Sequence, residues 1–157
     1  MIDPTNTASG DPDDGSAAAG ENRTSATAAS TGSDDAVAVI RFPATMAHPA
    51  KRRLADLPDR VVDGDPHHTS EMRHESADGA FQCGTWTSTP GRWRAFGDRD
   101  EFCTLLEGRA VLIATSGERQ EFGPGDSFLI PNGFEGFWEV SETATKHFVI
   151  LHHRDEA

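Results

Sequence analysis

From residue 36 onward the chain is a succession of short apolar or alternating runs, most of them too short for helices. Read at a period of two, they predict strands at 72–77, 80–87, 93–97, 101–107, 109–115, 118–122, 127–130, 136–140 and 146–152. The β-branched run AVAVIRF, 36–42, predicts one more before Pro43. Turn signals separate these runs: Asp78-Gly79, Pro90-Gly91, Gly108, Ser116-Gly117, Gly123-Pro124-Gly125 and Asn132-Gly133. Only KRRLADLPDR, 51–60, offers a short helical turn, before Pro58. About ten short antiparallel strands at this spacing predict a single all-β sandwich or barrel, and no internal repeat divides it.

The first 35 residues differ in kind. They are almost entirely Ala, Ser, Thr, Gly, Asp, Asn and Pro, without an aromatic residue and with Ile2 as the one branched aliphatic. Nothing there offsets the entropy of ordering, so 1–35 is expected to be a disordered acidic tail, either a solvating extension or a peptide that recruits a partner. Residues 36–65 then form an N-terminal strand and linker packing on the barrel, and 66–153 the barrel itself.

With 157 residues and 36% hydrophobic content, the chain can bury one core. No apolar run approaches the roughly 20 residues that cross a bilayer, and MIDPTNTASGDPDD has neither a basic start nor an apolar stretch, so a cytoplasmic protein is expected. A net charge of -12 argues against nucleic acid and anionic membranes as partners. About half of it lies in the tail, where Asp3, Asp11, Asp13, Asp14, Glu21, Asp34 and Asp35 face only Arg23. Two cysteines, Cys83 and Cys103, make no disulfide framework and are expected to stay thiols.

Two spacings point further. Glu101 is followed after six residues by Gly108, and Gly125 after five by Pro131 with Gly133 two further on. These are the frames of the two cupin motifs: G, five residues, H-x-H, three or four residues, E, six residues, G; then G, five residues, P-x-G, two residues, H, three residues, N. With the phrases ESADGAFQCGTW, TPGRWR, DEFCTLLEG, FGPGDSFLIPNGFEGFWEV and TKHFVIL, the stretch 66–151 resembles the small cupins grouped with the cupin domain of ureidoglycine aminohydrolase. The resemblance implies an all-β cupin jelly-roll barrel, and a homodimer, since cupins commonly pair through an outer sheet; AVAVIRF is then an edge strand to be covered.

The histidines depart from the pattern. The H-x-H slots fall on Arg94 and Phe96, or on Ala95 and Gly97; the later histidine and asparagine slots fall on Gly136 and Val140. A Zn, Mn or Fe site needs at least three protein ligands, and Glu101 alone is not one, so no cofactor is expected. His67 and His68 stand beside Pro66 in an expected loop, His152 and His153 at the end of the chain; His74 with Glu75 is the remaining route to an ion.

Alternation of faces puts Glu101, Cys103 and Leu105 on one side of their strand, and Gly136, Trp138 and Val140 on one side of theirs. Lys146, Phe148 and Ile150 share a face that the resemblance makes the inner one. A pocket of Glu101, Cys103, Trp138 and Lys146 follows, with Glu75, Trp86, Trp93 and Arg94 as wall residues. Glu101 and Lys146 are the candidate acid and base, or a structural ion pair, since a buried carboxylate or ammonium must be paired. Three functions stay open: an enzyme acting on a small polar metabolite of ureido or amino-acid type, or a sugar epimerase or isomerase without metal; a non-catalytic module that senses or stores a small ligand; and a structural partner acting through its tail.

Overall fold

The computed structural model describes residues 37–154, so the expected disorder of 1–35 lies outside the described residues. The strands are β1 (Ala50–Arg53), β2 (Val61–Gly64), β3 (His67–Glu75), β4 (Phe81–Ser88), β5 (Gly91–Arg94), β6 (Asp100–Ala114), β7 (Arg119–Phe122), β8 (Ser127–Ile130) and β9 (Gly136–Leu151), with one 3-10 turn at Leu54–Asp56. Every pairing is antiparallel. The order β1-β3-β4-β9-β5-β2 forms one path, and β6 joins it by pairing with β9 while carrying β7 and β8 on its other edge. The all-β jelly-roll expectation holds. Among the described residues no helix is long and apolar enough to cross a membrane.

The long strands β6 and β9 are the spine, paired from Asp100↔Leu151 to Ala114↔Gly136. Each merges two strands that the sequence pattern separates. Gly108 is the cause in β6: its φ is +79°, and a Cβ there would lie 2.3 Å from the carbonyl oxygen of Thr143. The glycine therefore makes a bulge that bends the strand pair, visible as register shifts from Leu105 to Ala110, and does not end the strand. This bend lets one long pair curl round a core that includes Leu105, Ala110, Phe128, Ile130, Trp138 and Val140.

The N-terminal expectations need correcting. Residues 37–42 form no strand, with Val39 97% and Ile40 44% exposed. The edge beside β3 is taken by β1 instead, so the β-branched run has no partner strand. Residues beyond it form a strap: Phe42 lies edge-on to the His147 ring at 5.4 Å. Arg73 donates to the carbonyls of Pro43 and Thr45, and Glu71 accepts from the amides of Ala47 and His48. KRRLADLPDR begins as strand, and its short helical turn before Pro58 is the 3-10 turn Leu54–Asp56, whose Leu54 side chain is fully buried in the core.

Candidate functional site

Residues directly opposite one another on antiparallel strands share a face. Ala50, Ser70, Trp86, Lys146 and Leu105 therefore make one row across the inner face, from the pairings Ala50↔Ser70, Ser70↔Trp86, Trp86↔Lys146 and Leu105↔Lys146. The neighbouring row on one side is Arg52, His68, Ser88 and Ala144. On the other side come Met72, Gly84, Phe148 and Cys103, then Gln82, Ile150 and Glu101. These rows line an open cavity of about 440 Å³, within the usual range for small-molecule sites.

At its floor the Lys146 side chain runs along the barrel from its own row to that of Glu101. Its Nζ donates to Glu101 Oε1 at 2.5 Å and to Cys103 Sγ at 3.5 Å, and Cys103 Sγ lies 3.6 Å from the same Glu101 oxygen. The remaining surroundings of the ammonium are indole faces, with ring centroids of Trp138 at 4.4 Å and Trp86 at 4.6 Å. The Lys146 side chain is 5% exposed and that of Glu101 13%. Burial alone would lower the Lys146 pKa; the negative charge of Glu101 and the hydrogen bonds to Glu101 and Cys103 act against it, so the pKa is raised and the group stays an ammonium. Burial pushes the Cys103 thiol up to about 12 against the pull of Lys146, so it is an uncharged thiol at neutral pH and not a ready nucleophile.

The walls are aromatic. All three tryptophans of the chain meet here, with Trp93 and Trp138 nearly parallel at 8° and 6.2 Å apart, and Trp86 5.8 Å from Trp138. His68 stands edge-on to Trp86 and Trp93, 4.9 Å from each. Its Nε2 is buried without a hydrogen-bond partner among the described residues. Burial, then the charges of Lys146 and Arg52, bring its pKa down to about 4, so the ring is neutral at pH 7.

The structure thus brings Glu101, Cys103, Trp138, Lys146, Trp86 and Trp93 together, and leaves two expected wall residues outside. Arg94 sits opposite Phe137 on the outer face, exposed, because its neighbour Trp93 takes the inward direction. Glu75 lies past the register shift between Met72 and His74; it is exposed and accepts from Gln82 Nε2 at 2.7 Å. His74 is exposed too. Sequence reasoning missed His68, placed in a loop and found on β3, and Arg52, on an edge strand it read as helical. The signal that finds both is their pairing, Arg52↔His68.

The cupin fold commonly holds a metal ion, and the side chains here do not fit one. Where the frames expect imidazoles there are Arg94 and Phe96, or Ala95 and Gly97, then Gly136, and the asparagine slot holds Val140. Among the described residues no three His, Cys, Asp or Glu side chains converge. The ammonium of Lys146 already holds the one carboxylate that could serve, at 2.5 Å.

Comparison with known proteins places this geometry. Residues 75–148 match the family model described as the EutQ-like cupin domain. A Pseudomonas syringae pv. tomato protein of unknown function from the DUF861 family is similar at 22% identity and a TM-score of 0.61, over 69% of this chain and 46% of that one. The EutQ protein of Clostridium difficile is similar at 16% identity and a TM-score of 0.49, over 55% and 64%. Ectoine synthase from P. lautus gives 15% and 0.49, over 64% and 76%. The chain therefore spans less than half of the Pseudomonas protein and under two thirds of the Clostridium one. No curated protein matches the chain. By its strand order, and by the match of residues 75–148 to the model of the EutQ-like cupin domain, the chain has the cupin fold.

Proposed function

We propose that this protein is a small-molecule-binding cupin that works without a metal ion and takes a small polar metabolite, of ureido or amino-acid type, into the barrel. One observation carries the reading: at the floor of an aromatic cavity, the carboxylate of the ion-binding frame is paired with an ammonium from the chain itself, Lys146 Nζ on Glu101 Oε1 at 2.5 Å. A tethered monovalent cation satisfies the carboxylate, while the partly exposed Trp86 supplies an aromatic surface for a planar ligand.

The experiment is a thermal-shift screen of ureido acids, amino acids, amides and sugars against the wild type and the Glu101→Gln/Lys146→Met double variant, alongside elemental analysis of the purified protein. Binding stabilises the folded chain by RT ln(1 + ligand/Kd) and so raises the melting temperature. The reading expects shifts that the double variant loses and no stoichiometric transition metal. A stoichiometric metal, or shifts indifferent to the double change, overturns it.

A second reading, an enzyme that moves a proton, is favoured by the neutral His68 ring and the Glu101 carboxylate lining one cavity. Turnover of any binding compound, lost in Glu101→Gln, separates it from binding alone.

A further inference from the structure

The floor and the mouth of the cavity offer a ligand different things, and together they select its class. Lys146, the deepest cation, has little left to give. Its ammonium is spent on Glu101, Cys103 and two indole faces, and its side chain is 5% exposed. An incoming anion does not find its partner there.

What the floor presents instead is an acceptor. Lys146 and Cys103 both engage Oε1 of Glu101, whereas Oε2 accepts no hydrogen bond among the described residues. Glu101 lines the cavity, so a ligand N–H reaching the floor meets an open carboxylate oxygen.

The mouth carries the opposite character. Lys51, Arg52 and Arg99 line it, in a chain whose net charge is -12. Arg99 is tied to Asp98 at 2.8 Å, and Lys51, opposite Thr69, belongs to the other face of β1. Arg52 shares the inner face with His68 and has no carboxylate partner among the described residues. Beside it the His68 ring packs edge-on against Trp86 and Trp93 with its Nε2 closed off from the cavity, so Arg52 supplies the N–H donors that an incoming anion meets there.

On the reading above, that the barrel binds a small polar metabolite, we propose that its ligand is an extended organic acid with N–H donors at the far end. The anionic group rests at Arg52, and the N–H end on Glu101 Oε2. The rows of Arg52 and Glu101 lie three two-residue steps apart along β9, at Ala144 and Ile150. That is about 20 Å of strand, of which two long side chains span roughly half. A free inorganic anion is too small to touch both ends; an elongated acid is not.

The test is calorimetric titration of the full chain with four probes: 4-ureidobutyrate, its carboxamide, heptanoate and inorganic phosphate. Charge-assisted hydrogen bonds are strong enough that 4-ureidobutyrate should bind about tenfold tighter than either matched analogue, with phosphate weaker still. Arg52→Gln should bring the acid within about twofold of the carboxamide, the acid losing about fivefold more than the carboxamide, as expected for a charged hydrogen bond lost at one end. Equal affinity of acid and carboxamide for the wild type, or an equal loss of both in Arg52→Gln, overturns the inference. If none of the four binds while other small polar compounds give shifts that depend on Glu101 and Lys146, the ligand class is wrong and the binding function stands; if those fail as well, both fall.

Discussion

Replacing Lys146 by methionine keeps most of the side-chain volume and removes the ammonium that holds Glu101. At 2.5 Å and an effective dielectric near 20, the gross attraction is about 7 kcal/mol, most of it offset by taking both ions out of water. Breaking one half of a buried pair typically costs about 3–5 kcal/mol, because the survivor keeps its desolvation without its partner. Glu101 borders the cavity and its side chain is 13% exposed, so water relieves part of that, and about 3 kcal/mol is expected for Lys146→Met. Glu101→Gln leaves an ammonium between two indoles and a thiol, again at about 3 kcal/mol. The double variant removes both charges and should lose less than about 2 kcal/mol, so the cycle closes with a coupling of about 4 kcal/mol. Urea unfolding of the four proteins at pH 7 measures it, by circular dichroism and by the fluorescence of the three tryptophans that meet at the site. Two single effects that simply add to the double, within about 0.5 kcal/mol, mean that the two groups do not act as a pair.

Three further outcomes follow from individual residues. The folded pKa of His68, about 4, lies below the unfolded value near 6.5, so the unfolded chain takes the proton first; stability is fully present above pH 6.5 and falls as pH drops towards 4. From this group about 2 kcal/mol is lost at pH 5, and urea midpoints of wild type and His68→Gln should converge by that amount between pH 7.5 and 5, whereas parallel pH slopes refute it. Gly108→Ala forces a side chain to φ +79° and to 2.3 Å from the Thr143 carbonyl, and should cost at least about 2 kcal/mol in thermal unfolding. Cys83 and Cys103 are both buried with raised pKa, so a thiol reagent at pH 8 should leave the native protein unlabelled and titrate both in urea; labelling of the native protein at the rate of a free thiol refutes it.

Much of the barrel was legible in the sequence because its punctuation is chemical. Glycines and prolines mark the turns before β8 and β9, and alternation along 101–105 and 146–150 gives the inner face correctly. The same punctuation misled at Gly108, since a positive-φ glycine serves a bulge as readily as a turn, and only the facing Thr143 decides which. The N-terminal third failed for another reason. AVAVIRF carries the stronger strand propensity, yet AKRR pairs with β3, because the edge beside it can take one partner and chain connectivity through the buried Leu54 delivers Ala50–Arg53 there. Arg52 and His68 were invisible as site residues on that account, since their common face depends on a pairing that no local pattern records. Arg94 and Glu75 were misassigned by proximity in sequence: Trp93 and Arg94 cannot both point inward on one strand.

The exchange of a bound ion for a tethered ammonium changes more than the charge count. A divalent cation over one carboxylate leaves a net positive floor that attracts anions directly. Lys146 over Glu101 leaves a neutral one, and the ammonium is sealed by Trp86, Trp138 and Cys103. On the proposed reading, attraction for an anion therefore has to come from elsewhere on the inner face, and Arg52 is where the rows place a free guanidinium. Recognition is thereby moved from the floor to the mouth, and the floor is free to be selective for hydrogen-bond donors. Because the ammonium cannot leave, its hold on Glu101 does not vary with metal supply. It varies only with the rotamer of one lysine, which the two indole faces fix. Binding by such a site should be insensitive to chelators and sensitive to the bulk at residue 138, a combination that an ion-dependent barrel does not show.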